Sequence, residues 1–198
     1  MLRIEFGGAS GYGNSTYGTW EISMQEIEKR ARGPPGKQSL AAQSAIILHQ
    51  CFAFLHNDNI SEDIFKNAAS NYTRRDIQKE KKKGMPLSIT LLDPKFLLLS
   101  EDRTWDKLQF REGIKALLSF SLIESHNKLY SVHPLVHAWS RERILKSEIS
   151  YFYYKVRALL SCSVHPSYEE DNYAFCAQLV PHMRASQVYA TQLKLNVG

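Results

Sequence analysis

The chain has three cysteines in 198 residues and a net charge of only +5. It also lacks any apolar run near the roughly twenty residues that span a bilayer. Cys51, Cys162 and Cys176 are odd in number and widely spaced, so they form no closed disulfide framework. Cys51 lies in an apolar stretch and Cys176 sits beside Phe175. They read as reduced packing residues in an intracellular, cytoplasmic protein. The opening Leu2-Arg-Ile-Glu-Phe6 has no long apolar centre, which excludes a secretory signal. The start carries no domain-opening pattern and the end, Leu195 to Gly198, no helix stop. The chain reads as a fragment of a longer protein.

Chemical signatures are equally sparse. The glycine-rich stretch from Gly7 to Gly18 has neither a Gly-Lys-Ser/Thr ending nor a buried strand before it. Both are needed to cradle phosphates, so residues 1–18 read as a flexible linker. No paired carboxylates, serine–histidine–acid series or activated cysteine emerges, and no catalytic residue is expected. His133 and His137 share the i, i+4 spacing of a metal pair. They lack the intervening glutamate of metalloproteases and a third ligand, so no metal is expected either.

What is present is globular: 43% hydrophobic and 23% charged residues. The positive excess concentrates at Arg74-Arg75 and Lys79 to Lys83. Thr19 is placed to cap a helix in which Trp20, Met24 and Ile27 recur on one face to about Ala31, where Arg32-Gly-Pro-Pro-Gly36 turns the chain. A second helix, about 39–56, is apolar nearly all round and belongs in the core. Ser61 caps a third, with Glu62 and Asp63 in its first turn and Ile60 stapled to Phe65. It frays into the charge run Thr73 to Gly84, a solvated loop. Leu97 to Leu99 should be buried. Thr104 caps the next helix, where Phe110, Ile114, Leu117 and Leu118 form one stripe and Lys107, Arg111 and Lys115 the opposite one. Leu122–Glu124 and Lys128–Val132 bracket a hairpin turn at Ser125–Asn127.

The chain then delivers His133 to the start of an amphipathic helix. Pro134 suits its first position, Leu135, Val136 and Trp139 mark its buried face, and Arg141, Glu142 and Arg143 stay wet. His137 points along the Val136–Trp139 side as a satisfied, partly buried residue. Beyond Leu145, the residues Ile149, Phe152, Tyr153, Val156, Leu159 and Leu160 describe one buried helical face, ended by His165-Pro166. A last helix spans about 171–186 and is interrupted or restarted at Pro181. The fold class is mainly α: a winged-helix domain over 19–146 with one β-hairpin. Residues 147–198 then form a helical linker that starts a helical repeat region.

With the elements placed, the segments from Trp20 to Met24 and from Ile47 to Ile60 resemble the winged-helix part of NB-ARC proteins. These belong to the signal-transducing STAND NTPases. Ile22-Ser23, Cys51-Phe52, Asp58 and Ile60 stand in positions of that family's pattern. Phe120 to Ile123, Tyr130 to Trp139 and Leu179-Val-Pro-His-Met-Arg184 resemble the later part of fungal members that continue into tetratricopeptide-like repeats. The resemblance covers about residues 19–187.

It implies that His133 matches the histidine of a Met-His-Asp motif that reaches an ADP phosphate and holds the off state. Val132 and Pro134 replace the flanking Met and Asp. It further implies ADP or ATP as cofactor of the full-length protein and an upstream nucleotide-binding domain and downstream helical repeats as partners. The resemblance also implies a homo-oligomer when the protein is active and, as expected of fungal relatives, roles in non-self recognition and programmed cell death. The family's phosphate loop is missing from this stretch, so the segment is expected to bind no nucleotide tightly and to catalyse nothing alone. No membrane partner is expected. The rival reading is a DNA-binding winged helix that uses the Lys107, Arg111 and Lys115 face. Asp106 and Glu112 interleave with that stripe and weaken it.

Overall fold

The structure is a computed structural model that describes residues 11–79, 92–164 and 170–194. Its elements run α1 (Gly11–Ala31), α2 (Lys37–Phe52), β1 (Ile60–Ser61), α3 (Glu62–Lys79) and α4 (Lys107–Ser119). There follow β2 (Glu124–His126), β3 (Leu129–Ser131), α5 (Pro134–Glu142), α6 (Lys146–Ser163) and α7 (Glu170–Gln192). The molecule is mainly helical with one small antiparallel sheet of order β1-β3-β2. Ile60 pairs with Tyr130, and Ser125 pairs with Tyr130 from the other side. The order α2-β1-α3-α4-β2-β3 is that of a winged helix, with the hairpin as its wing.

Local chemistry explains most element ends. The Ser61 Oγ accepts a hydrogen bond from the Asp63 N–H at 3.0 Å and so opens α3. The hairpin turns at Asn127-Lys128, whose φ values of 49° and 65° give the primed turn that matches strand twist. Helix α4 is capped by Asp106, whose Oδ1 accepts from the Gln109 N–H at 2.8 Å. Thr104, the expected cap, instead closes the preceding loop with Ser100 at 2.9 Å. A carboxylate two residues nearer the helix supersedes it.

Helix α1 begins at Gly11, so residues 11–18 belong to a helix where a linker was expected. Helix α2 stops at Phe52, and Ala53 to Leu55 stay buried in a turn. The charge run is helical as far as Lys79; residues 80–91 lie outside the described residues. The His165-Pro166 stop and the end at 195–198 also lie outside them. Helix α7 continues through Pro181 to Gln192. Pro181 is exposed, so its ring meets no neighbouring element, and the helix runs on without the one backbone bond that proline cannot donate.

The core holds Met24, Ile27, Leu48, Phe52, Phe65, Phe110, Leu117 and Trp139, as the helical periodicities predict. Leu97 and Leu98 are buried as well. Gly113 lets α4 lie close on α2: a Cβ there would meet the Ser44 Cβ at 2.8 Å. Trp20 of α1 meets Trp139 of α5, ring centres 5.9 Å apart and planes at 51°. Helix α6 lies along α3, where Asn71 Nδ2 donates to the Cys162 carbonyl at 2.9 Å and Tyr153 is fully buried. One hydrophobic cluster therefore crosses the boundary drawn at 146, from Met24 to Ala190.

Candidate functional site around the wing and the start of helix α5

The junction of β3 and α5 carries the residue that the sequence singled out. His133 is the N-cap of α5, and its Nδ1 accepts a hydrogen bond from the Leu135 N–H at 3.3 Å. With Nδ1 accepting, the neutral ring carries its proton on Nε2. The side chain is exposed. His133 is thus both a local cap and a free donor at the surface. Its neighbour Leu135 is 53% exposed and was expected inside. It extends an accessible corner next to the imidazole.

Behind this corner the side chains interlock. His137 is buried, and its Nε2 donates to the carbonyls of Phe52 and Leu55, both at 3.0 Å. Its Nδ1 accepts from Arg141 Nη1 at 2.8 Å. Burial, aided by the Arg141 charge, pushes its pKa down to about 4. Both nitrogens are engaged, so the ring has none left for a metal. Among the described residues no group of three or more His, Cys, Asp or Glu side chains could hold a metal ion.

Arg141 and Arg143 are half-buried, where solvent-facing residues were expected. Arg141 also donates to the Ala53 carbonyl at 3.0 Å and lies 4.3 Å over the Tyr189 ring of α7. Arg143 bonds Glu21 at 3.0 Å and Glu28 at 2.8 Å, tying α5 to α1. Each guanidinium satisfies a neighbouring element, which outweighs leaving it in water. The i, i+4 spacing of His137 and Arg141 was a signal that could have revealed the first of these contacts.

His49 and Ser140 approach within 2.8 Å, and both are buried. The single Ser140 proton goes to the Val136 carbonyl at 2.7 Å. His49 therefore donates to Ser140, the reverse of what a base activating a nucleophile requires. Burial first, and then the Arg143 charge, lowers the His49 pKa to about 3.

The basic stripe is spoken for. Glu62 of α3 lies 3.9 Å from the Lys107 Nζ and 3.5 Å from the Arg111 Nε. Lys115 pairs with Glu112. The structure brings these three cations to one exposed helix face and sets two carboxylates among them. Each exposed pair is weak, yet together they lower the local field that a polyanion would meet.

A residue not singled out by sequence reasoning reaches this region from α7. His182 is buried; its Nδ1 accepts from the His56 N–H at 3.1 Å and its Nε2 donates to the Asn59 carbonyl at 3.3 Å. Burial is again the main reason its pKa falls to about 4. It lies within the Leu179 to Arg184 stretch, but only the fold brings it to residues more than a hundred positions away.

No helix among the described residues is long and apolar enough to cross a membrane. No family model matches the chain, and no curated protein or solved structure matches it.

Proposed function

We propose that the chain is the regulatory winged-helix segment of a STAND-type signalling ATPase and couples the nucleotide state to sensor repeats. The reading rests on the resemblance of its motifs and on one observation: the exposed His133 ring at the β3–α5 corner, whose Nδ1 caps α5 and leaves Nε2–H as the donor. An exposed imidazole donor suits a phosphate. The fixed cap on Nδ1 orients the ring before any partner arrives, which lowers the entropy cost of the contact. In this reading the clamp forms only when an upstream nucleotide-binding domain docks on the corner, and α6 and α7 lead toward the repeats.

The test is a fusion of this chain behind a STAND nucleotide-binding domain loaded with fluorescent ADP. A hydrogen bond to a charged phosphate contributes about 1.5–3 kcal/mol, so His133→Ala is expected to speed ADP release roughly 10- to 100-fold. Release at the parent rate sinks the clamp.

A further inference from the structure

Helix α7 and His133 are far apart in sequence, but a four-residue segment connects them. His182 holds both ends of residues 56–59: it accepts from the His56 N–H and donates to the Asn59 carbonyl. Asn59 has a φ of 59°, a left-handed turn that asparagine tolerates and that aims its carbonyl at the imidazole. Between these two anchors sits Asn57. Its carbonyl accepts from the Val132 N–H at 2.7 Å, and its Nδ2 donates to the Val132 carbonyl at 3.4 Å. Val132 immediately precedes His133. Beside this path, Leu179 and Ala190 are buried and Tyr189 lies under Arg141, so α7 is seated around His182.

We propose that His182 is a positioning residue that transmits the seating of α7 to the His133 corner through residues 56–59 and Val132. The chain of bonds is continuous, and each link is a backbone, imidazole or side-chain amide atom with a defined partner. With α7 seated, the 56–59 segment is held at both ends and Asn57 clamps Val132 from two sides. When α7 moves, His182 leaves, the segment loses both anchors, and the Val132 clamp loosens next to the imidazole. A helix that leads toward sensor repeats would thereby set the order of the residue that meets the nucleotide. That purpose rests on the reading of His133 given above; the coupling itself does not.

Amide exchange of the whole chain, followed by NMR, tests it. The quantity read is the exchange rate of the Val132 N–H relative to the Met24 N–H in α1, which neither substitution touches. In His182→Phe, which fills the space and removes both bonds, that ratio is expected to rise about tenfold, and the His133 ring signals to shift. His182→Asn keeps an acceptor near the Nδ1 position and loses the donor to Asn59; a smaller rise of about threefold is expected. It decides the matter if the phenylalanine variant does not fold. Gly113→Ala destabilises the α2–α4 contact far from α7 and is expected to leave the ratio unchanged. An unchanged ratio in the His182 variants, or an equal rise in Gly113→Ala, overturns the proposal. No nucleotide is present in this experiment. A failed coupling therefore leaves the ADP-release result standing, and unchanged ADP release leaves a raised Val132 ratio standing.

Discussion

Three histidines are buried as neutral rings: His49, His137 and His182. Their folded pKa values lie at about 3, about 4 and about 4, against about 6.5 in an unfolded chain. The unfolded state therefore takes up protons first. The stability these rings contribute is fully present above about pH 6.5 and is lost as pH falls toward 4. Each ring gives a slope of about 1.4 kcal/mol per pH unit, so together they remove up to about 4 kcal/mol between pH 6 and 5. Urea midpoints at pH 7.5, 6 and 5 check this; a midpoint flat down to pH 5 would contradict the neutral, buried assignment. The sequence made one of the three visible. His137 lies on an apolar helix face, and that placement was readable from periodicity. His182 was not, because its partners are main-chain groups of residues 56 and 59, and no side-chain pattern marks a main-chain acceptor.

Elements were legible where their ends carry side-chain chemistry. Ser61 opened α3 as its capping pattern predicts, and the wing fell between Leu122 and Val132. Where two polar residues competed for a cap, Thr104 and Asp106, spacing alone did not rank them. The charged oxygen won because it also meets the positive end of the helix. The start of α1 was missed because Gly11 to Gly18 has weak helix propensity and no apolar stripe. The wing offers a sharper test. Lys128 sits at φ 65°, a region costing a residue with a Cβ roughly 1 kcal/mol, and its side chain is exposed. Lys128→Gly is therefore expected to raise stability by about 0.5–1 kcal/mol, read as a higher urea midpoint with an unchanged slope. A lower midpoint would mean that the turn is not primed.

At the scale of the whole molecule, one hydrophobic cluster holds residues from both sides of the boundary expected near 146. The pattern changes at Leu145, so a boundary near 146 was reasonable. Yet the face of α3 that carries Ala68, Ala69 and Asn71 is covered by α6, with the Cys162 thiol donating to the Ala68 carbonyl at 3.4 Å. Lys155 of α6 is buried as well, 2.6 Å from Asp93. Periodicity shows that a helix has a buried face but not which neighbour buries it. Removing residues 146–198 is expected to leave a chain with reduced helix and no cooperative melt, checked by circular dichroism on heating. A truncated chain that melts sharply would support the boundary.

The two indoles at the α1–α5 contact, Trp20 and Trp139, stand close and inclined to one another. Such a chromophore pair couples electronically, so its optical activity in the near ultraviolet depends on their mutual orientation. That band is a built-in gauge: it fades when the first helix lifts away, while the bulk helical signal barely changes.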